Sequence, residues 1–251
     1  MPSGLRVTFL DVGQGDAALL QVAQGAVLVD QGPPEADVAR QLRRLGIRGL
    51  TAVVLTHPQR DHVGGAAAVL RTLPVGTVLD PGLPNDSADE AAALAAARAR
   101  HVPVVSARSG SVYRLGRLVL RVLWPDGPGV PGTDPNDRAV VLLASYGETD
   151  VFLPADAESN VTAPLALHAV EVLKVAHHGS ADAGLERELR VLRPRVAVVS
   201  VGARNDYGHP RQETIAALNT VGGLRLFRTD VHGRVVVETD GERLAVTTER
   251  G

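Results

Sequence analysis

The sequence predicts an α/β protein in which two mixed β-sheets pack face to face between outer helices, a four-layer αββα sandwich. A group of strand-like segments joined by short turns is followed by alternating strands and helices, and this order occurs twice along the 251 residues. Each half would supply one sheet. No Ser/Gly/Pro-rich linker or block of like charge separates the halves, so we expect a single domain over residues 1–251.

The first half begins with three strand-like segments separated by glycine-containing turns, which indicates an antiparallel meander. Helical and strand-like periods then alternate, with Gly46 ending the first helix and Ser87 capping the third. The strands expected here are residues 5–10, 17–22, 26–29, 50–55, 75–79 and 102–105, and the helices are 35–45, 63–73 and 87–100. The continuous apolar run at 50–55 is typical of a buried strand.

The second half repeats this order, with four strand-like segments before its alternating part. A stretch rich in Pro and Gly at 125–135 predicts an irregular loop among them. The strands expected are residues 111–115, 118–124, 139–146, 150–153, 170–175, 196–201, 224–227, 235–238 and 244–247, and the helices are 158–167, 185–192 and 211–218. The loops at the strand ends of the two halves are expected to meet along one edge of the sandwich.

The composition excludes several kinds of protein. Hydrophobic residues make up 45% of the chain but aromatic residues only 3%, so the core must consist of Val, Leu and Ala. The absence of cysteine excludes disulfides and thiolate-bound zinc, which leaves His, Asp and water as metal ligands. A net charge of −2 gives no overall basic field for tight nonspecific DNA binding. Neither a Walker loop nor a dinucleotide fingerprint is present, so no nucleotide cofactor is expected.

The chain is also expected to be soluble. Nothing in it resembles a signal peptide, and no apolar run approaches the roughly 20 residues that span a bilayer. We therefore expect a location in the cytoplasm, or at the membrane through a partner. Charged residues near the last strands, such as Glu238 and Arg243, are as typical of a protected sheet edge as of pairing between chains, and we expect a monomer.

The most informative segment is HPQRDHVGG at residues 57–65, directly after the apolar run at 50–55. It places His57, Asp61 and His62 where a buried strand ends, and the two glycines allow a following helix to start close to them. Imidazole and carboxylate groups in this arrangement favour a metal site. The alternative is a surface or capping pair of His and Asp, which is common. Three further histidines in Gly- or Pro-marked segments after strands favour the metal site: His177, His178 and His209.

Carboxylates also follow predicted strands elsewhere. Asp30 ends the segment at 26–29, and Asp156 follows the segment at 150–153 and could bridge two metal ions. Asp30 could equally accept backbone hydrogen bonds in a turn, and Asp156 could cap the helix predicted at 158–167. Asp16 could likewise be only a turn residue. These alternatives remain open at the level of sequence.

Taken in order, the motifs resemble the metallo-β-lactamase-fold hydrolases, and within them the hydrolase domain of the ComEC/Rec2 competence proteins. The resemblance covers nearly the whole chain and rests on FLDVGQGD, LVDQGP, THPQRDHVGG, FLPAD, LKVAHHGS and NDYGHP. It implies the αββα fold and a site of one or two divalent ions, most often zinc or manganese, that activates water to hydrolyse an ester or phosphodiester.

The resemblance also implies roles for individual residues. His57 would bind a first metal ion, Asp61 and His62 a second, and Asp156 would bridge them. Of His178 and His209, one would complete the metal set and the other would contact the scissile phosphate, and the sequence does not decide between them. Asp61, His177 and His178 would be catalytic, orienting the water, stabilising the developing charge or protonating the leaving oxygen. Candidate substrate-binding residues are Ser180, Asn205 and Tyr207, the last as a stacking platform for a single strand.

The first metal position departs from the family pattern. Gln59 stands where related chains carry His or Asp, and Asn136 lies about where many members place another histidine. Both are candidate ligands or supports of ligands, as is Asp30. Because amide oxygens are neutral and weak ligands, the first position should bind poorly or favour a hard ion such as manganese. A one-metal enzyme is then plausible.

The function predicted from these residues is a metal-dependent nuclease or phosphodiesterase that degrades one DNA strand during uptake in competence. Single-stranded DNA would be the substrate, and a membrane channel component of a DNA-uptake system would be a partner. Two alternatives stay open: a small-molecule or lipid-phosphate hydrolase on the same fold, and a noncatalytic domain with a degenerate first metal site.

Overall fold

Two mixed β-sheets lie face to face, with helices on both outer surfaces, in a computed structural model that describes residues 2–127 and 134–251. This confirms the predicted four-layer αββα sandwich. The elements of the first half are β1 (Leu5–Phe9), β2 (Ala18–Val22), β3 (Gly25–Val29), α1 (Val38–Arg44), β4 (Leu50–Val54), α2 (Arg60–Val63), α3 (Ala66–Thr72), β5 (Val75–Asp80), α4 (Ala88–Ala99) and β6 (Val104–Ser106).

The second half contributes most of the other sheet. Its elements are β7 (Val112–Leu115), β8 (Leu118–Trp124), β9 (Val141–Tyr146), β10 (Thr149–Leu153), α5 (Ser159–Thr162), β11 (Val172–Lys174), α6 (Leu185–Leu192), β12 (Val196–Val199), α7 (Gln212–Asn219), β13 (Arg225–Arg228), α8 (Thr229–His232), β14 (Val235–Thr239) and β15 (Leu244–Thr248). Among the described residues, no helix combines the length and hydropathy needed to cross a membrane.

The strand orders are β15-β14-β1-β2-β3-β4-β5-β6 in the first sheet and β13-β12-β11-β10-β9-β8-β7 in the second. Strands β3 to β6 are parallel, as are β10 to β13, while the remaining pairs are antiparallel. The last two strands therefore return to the first sheet, where β14 pairs with β1. Within each parallel group, the loops after the carboxyl ends of the strands share one edge, and the polar segments at 56–62, 154–158 and 175–180 follow β4, β10 and β11.

Three apolar clusters hold the four layers together. One fills the space between the sheets and contains Phe9, Leu20 and Leu142. A second lies where α1, α3 and α4 pack on the first sheet, and a third where α6 and α7 pack on the second. Their members are mostly Val, Leu and Ala, in agreement with the low aromatic content.

Several predicted boundaries are wrong. The helix predicted at 158–167 is a single turn, α5, because Pro164 lacks the amide proton that would continue the helix. The helix predicted from Glu35 starts at Val38, where Asp37 accepts a hydrogen bond from the Arg40 amide. The helix predicted at 63–73 is divided at Gly64 and Gly65 into α2 and α3.

One further segment differs from the prediction, and another lies partly outside the described residues. The short helix α8 was not predicted, since its four residues carry no helical periodicity. The loop predicted at 125–135 lies partly outside the described residues, at 128–133.

The buried carboxyl of Glu188 makes the stability of the α6 layer depend on pH. Glu188 is 7% exposed and accepts a hydrogen bond from the Thr162 hydroxyl. Burial raises its pKa to about 7. Because the folded pKa lies above the unfolded one, this carboxyl favours folding below about pH 4.5, and the contribution is lost as pH rises through about 7.

Glu188→Gln should therefore leave the free energy of unfolding little changed at about pH 5 and raise it by about 1–3 kcal/mol at about pH 8. Chemical denaturation at the two pH values measures the difference. The exposed Glu186 of the same helix supplies the control variant Glu186→Gln. Parallel stability profiles for wild type and Glu188→Gln would contradict an ionising buried carboxyl.

Candidate metal centre

Four of the predicted site residues converge at the shared sheet edge. Asp61 and His62 lie on α2 just after β4, Asp156 follows β10, and His178 lies in the turn after β11. One ligand atom from each of the four lies within 4.8 Å of the others. His62, Asp156 and His178 are buried, whereas Asp61 is partly exposed and connects the cluster to solvent.

The backbone holds these residues in conformations that ordinary loops avoid. His177 and His178 both have positive φ values, 46° and 53°, and Ala155 before Asp156 has a φ of 53°. Such values cost free energy in non-glycine residues and persist only where surrounding contacts enforce them. Across the sheet edge, the Asp16 amide donates to the Asp61 carbonyl at 3.1 Å and fixes the start of α2.

The spacing of the ligand atoms fits a tetrahedral ion. His62 Nε2 lies 3.3 Å from His178 Nε2 and 3.2 Å from Asp156 Oδ2. His178 Nε2 lies 3.5 Å from the same Asp156 oxygen and 3.3 Å from Asp61 Oδ2. Ligand atoms about 2.0–2.1 Å from a tetrahedral zinc ion stand roughly 3.3–3.4 Å apart. Four edges of the cluster therefore match this geometry.

Both imidazoles are oriented so that Nε2 faces the cluster. His62 Nδ1 donates to Asp30 Oδ2 at 2.8 Å, and His178 Nδ1 donates to the Ser200 carbonyl at 2.9 Å. A histidine whose other ring nitrogen is a fixed donor presents a lone pair to a metal. Asp30 also accepts from the amide and hydroxyl of Thr56, so it supports a ligand and lies behind His62.

Unsatisfied polar atoms at the cluster indicate the need for a cation. Both Asp156 carboxylate oxygens and His57 Nε2 are buried and have no hydrogen-bond partner. Buried polar groups in native proteins are normally paired, because an unpaired one costs about 1–3 kcal/mol. A divalent ion among these atoms would satisfy them, and the residues present therefore fit such an ion.

The electrostatics of the cluster depend on its four charged members. Burial alone would lower the pKa of both His62 and His178, but Asp156 raises the first well above its ordinary value and the second to about 9. Burial would raise the pKa of Asp61, yet the hydrogen bond to His178 and the charge of His62 bring it to about 2. The metal-free cluster thus holds two imidazoliums against ionised carboxylates.

Metal binding should therefore release protons. Since the Nε2 protons of His62 and His178 occupy the positions that an ion needs, both must leave, and affinity should rise with pH at least to about 9, where His178 loses its proton unaided. We expect apparent affinity for Zn²⁺ to increase about tenfold or more per pH unit between pH 6 and 8. Calorimetry in two buffers of different ionisation enthalpy measures the protons released, and a value near zero would contradict this arrangement.

The residues predicted for the first metal position are more dispersed. His57 Nε2 lies 3.7 Å from Asp156 Oδ2, and its Nδ1 is held by the Thr56 hydroxyl at 3.1 Å. Burial, reinforced by the charge of His62, lowers the pKa of His57 to about 3, so its imidazole is neutral. Gln59 precedes α2, and Asn136 starts a 3-10 turn with its Oδ1 buried and unpaired. His57 is outside the group of four ligand atoms.

His177 and His209 lie beside the cluster. His177 Nδ1 donates to Glu158 Oε1 at 2.8 Å, and its Nε2 lies 3.9 Å from Asp156 Oδ2. The His209 ring stacks edge-on to His177 with centroids 5.6 Å apart, and burial lowers the pKa of His209 to about 4. His178 is thus the later histidine that joins the group of four, and His209, predicted as a possible ligand, is outside it.

The predicted substrate-binding residues differ in their availability. The Ser180 hydroxyl donates to Glu158 and its amide to the His177 carbonyl, so both donors stabilise the histidine turn. Asn205 donates to the carbonyls of Gly202 and His209 and accepts from the His209 amide, which shapes the loop. Tyr207 is 62% exposed, with its ring centroid 5.8 Å from that of His209.

Sequence reasoning missed several residues of this centre. Thr56 and Glu158 orient His57 and His177, and neither carries a motif signal beyond its position next to a predicted ligand. Lys174 pairs with the Asp16 carboxylate beneath the cluster. The signal for Lys174 was present: it is the single lysine among 26 basic residues and it lies in an apolar strand.

A cavity of about 430 Å³ adjoins the centre on the side of His57 and Gln59. Pro81, Leu83 and Arg138 are among the residues that line it. A substrate group next to the metal centre would therefore meet proline and leucine side chains, together with the charged groups of Arg138, Asp86 and Glu90.

Known proteins resemble this chain in sequence and structure. A family model described as the metallo-beta-lactamase superfamily matches residues 10–203. ComE operon protein 3 of Bacillus subtilis is 29% identical over an alignment of 253 positions, which covers 91% of this chain and 32% of that protein. Competence protein ComA of Neisseria gonorrhoeae is 28% identical over 247 residues, covering 90% and 31%. The chain thus spans about a third of the length of these curated relatives.

A solved structure shares the fold. The metallo-beta-lactamase fold protein YhfI from Bacillus subtilis superposes with a TM-score of 0.62 at 15% identity, covering 89% of this chain and 96% of that one. At 15% identity this likeness is one of fold.

Proposed function

Since the chain belongs to the metallo-beta-lactamase superfamily, we propose that it is a divalent-metal-dependent hydrolase that cleaves phosphodiester bonds in single-stranded DNA. The observation that carries the proposal is the cluster of Asp61, His62, Asp156 and His178, whose ligand atoms stand at the spacing of a tetrahedral metal site. The resemblance to competence proteins supports DNA as the substrate.

The four residues would hold one divalent ion through two imidazole nitrogens and two carboxylate oxygens. When bound, the ion supplies a Lewis acid that lowers the pKa of a water molecule and neutralises charge on a phosphoryl oxygen. The ligand spacing supports zinc, while manganese remains the alternative for a first position formed by His57, Gln59 and Asn136. Asp30 and the Ser200 carbonyl keep His62 and His178 in the required tautomers.

Asp61 and His177 are the proposed acid–base residues. Asp61 is the partly exposed carboxylate of the cluster, so it is placed to accept a hydrogen bond from the attacking water and orient it. His177 is oriented by Glu158 through Nδ1, which leaves Nε2 to donate a proton to the leaving oxygen. His178 stays in place as a ligand through the reaction.

The cavity beside His57 and Gln59 has room for an organic group next to the scissile phosphate. Its proline and leucine side chains suit the sugar and base of an unpaired nucleotide. Asp86 and Glu90 line it together with Arg138, so the cavity adds no net positive charge for the phosphate. The net charge of −2 implies weak holding of DNA by the isolated chain. We propose that a membrane channel component of a DNA-uptake system delivers the strand, and that the hydrolase lies in the cytoplasm or at the membrane through that partner.

Cleavage assays on chelated protein test the proposal. Wild type with restored Zn²⁺ or Mn²⁺ should cleave a single-stranded oligonucleotide faster than a duplex, with a rate that falls as salt rises. His62→Ala should lose more than about 100-fold of this activity, whereas His101→Ala at an exposed position should keep it. Hydrolysis of p-nitrophenyl phosphate without DNA cleavage would support a small-molecule hydrolase, and no hydrolysis at all would support a noncatalytic domain.

A further inference from the structure

Lys174 is a buried ammonium directly beneath the metal centre. It is 3% exposed, and its Nζ pairs with the Asp16 carboxylate and donates to the Ala155 carbonyl at 2.9 Å. The same nitrogen lies 3.7 Å from Asp156 Oδ1, an ion-pair distance without a hydrogen bond. Burying a charge is costly unless it is paired, so this placement needs an electrostatic reason.

The Ala155 carbonyl connects Lys174 to the turn that carries Asp156. Ala155 has a φ of 53°, and its carbonyl also accepts from the His177 amide at 3.1 Å. One oxygen atom therefore ties the Asp156 turn to β11 and to the histidine turn. Lys174 holds this junction in a backbone conformation that is unfavourable for alanine.

Asp16 extends the contact to the imidazoles. Its Oδ2 lies 3.8 Å from His62 Nδ1 and its Oδ1 lies 3.6 Å from His178 Nδ1. The Lys174–Asp16 pair thus lies behind both histidine ligands, on the side opposite to their Nε2 atoms. A substitution at Lys174 would therefore alter the positions of His62, Asp156 and His178 together.

The two oxygens of Asp156 face different partners. Oδ2 lies within 3.2–3.7 Å of the Nε2 atoms of His57, His62 and His178, while Oδ1 faces Lys174. Oδ1 is therefore neutralised by a fixed ammonium, and Oδ2 is the oxygen that stays available to an ion.

We infer that Lys174 is a positioning residue. By holding Asp156 Oδ1 and, through Asp16, the Nδ1 sides of both imidazoles, it directs Asp156 Oδ2, His62 and His178 at one divalent ion. The inference rests on the proposed metal site and adds the residue that orients its ligands.

Zinc titration of the metal-free full chain tests this inference. Native mass spectrometry should count one Zn²⁺ per wild-type chain, and competition with a chromophoric chelator should give its affinity. We expect Lys174→Met to bind Zn²⁺ about 10–100-fold more weakly, and to alter the Co²⁺ absorption spectrum because Asp156 is no longer held. The double variant Asp16→Asn, Lys174→Met removes both charges of the ion pair, so that neither charge is left buried without its partner. It should show the same weakening of zinc binding.

The outcomes separate this inference from the proposed function. Unchanged zinc affinity and Co²⁺ spectrum in a folded Lys174→Met variant would overturn the role of Lys174 while leaving a metal-dependent hydrolase intact. If the Met variants fail to fold, Lys174→Arg keeps the buried charge but moves it, and wild-type zinc affinity and Co²⁺ spectrum in that variant would likewise overturn the inference. No zinc binding by wild type would instead refute the metal site on which the proposed function depends.

Discussion

Asp156→Asn is expected to abolish tight zinc binding and to remove phosphodiester hydrolysis. Both carboxylate oxygens are buried without hydrogen-bond partners, and Oδ2 lies 3.2–3.7 Å from the Nε2 atoms of His57, His62 and His178. An amide keeps the shape but loses the negative charge. Removing a group that only supports a ligand costs about 10–100-fold in metal affinity, so loss of this ligand should cost more than about 100-fold. Chelator competition and oligonucleotide cleavage measure the two effects.

The matched control is Asp150→Asn on β10, the strand before Asp156. The Asp150 carboxylate pairs with the exposed His168 at 2.7 Å. This control variant should bind zinc and cleave DNA like wild type. The metal-free Asp156 variant leaves two imidazoliums with one carboxylate partner fewer, so its folding must be checked. Circular dichroism shows whether the variant is folded and so separates loss of metal binding from loss of fold. An Asp156→Asn protein with wild-type zinc affinity would mean that the ion binds elsewhere.

Gly15→Ala is expected to destabilise the protein by about 2–5 kcal/mol and to weaken metal binding. Gly15 has a φ of 135°, which residues with a side chain rarely adopt. An added Cβ would lie 2.3 Å from the Asp61 carbonyl oxygen and 3.0 Å from Pro33 Cδ. Because that carbonyl also accepts from the Asp16 amide, relief of the clash must displace the backbone of a metal ligand.

The neighbouring glycine provides the comparison. Gly13 also has a positive φ, 74°, but an added Cβ there has nothing within 4 Å. Gly13→Ala should therefore cost only the backbone strain, about 1–2 kcal/mol, with zinc affinity unchanged. Urea denaturation and zinc titration of both variants distinguish strain from contact. Equal losses in the two variants would show that the approach of Gly15 to Asp61 is unimportant.

Much of the fold could be predicted because local periodicity reflects burial. The apolar run before His57 forms β4, and the Ser87 cap starts α4 as expected, with its hydroxyl accepting from the Glu90 amide. The pairing of β14 with β1 was not predicted, because register between distant strands leaves no local pattern. The helix expected after Asp156 ends after one turn, and Pro164 is the signal that was overlooked.

The site was predictable to a similar degree. Histidines and carboxylates that follow strands identified Asp61, His62, Asp156 and His178, which the fold brings within ligand distance of each other. Their orientation depends on partners far away in the chain, such as Asp30 for His62 and Ser200 for His178, which spacing alone does not reveal. Lys174 was visible as an anomaly of composition, but only its contacts with Asp16 and Ala155 give it a role.

X-ray absorption at the zinc edge, on protein loaded with one equivalent of Zn²⁺, tests the central claim most directly. The account predicts a single shell of four light ligands near about 2.0–2.1 Å, with the multiple-scattering signature of two imidazoles. Asp156→Asn should lose this signal. A shell with three or more imidazoles would place the ion on His57 or His209, and one without imidazole would contradict the proposed centre.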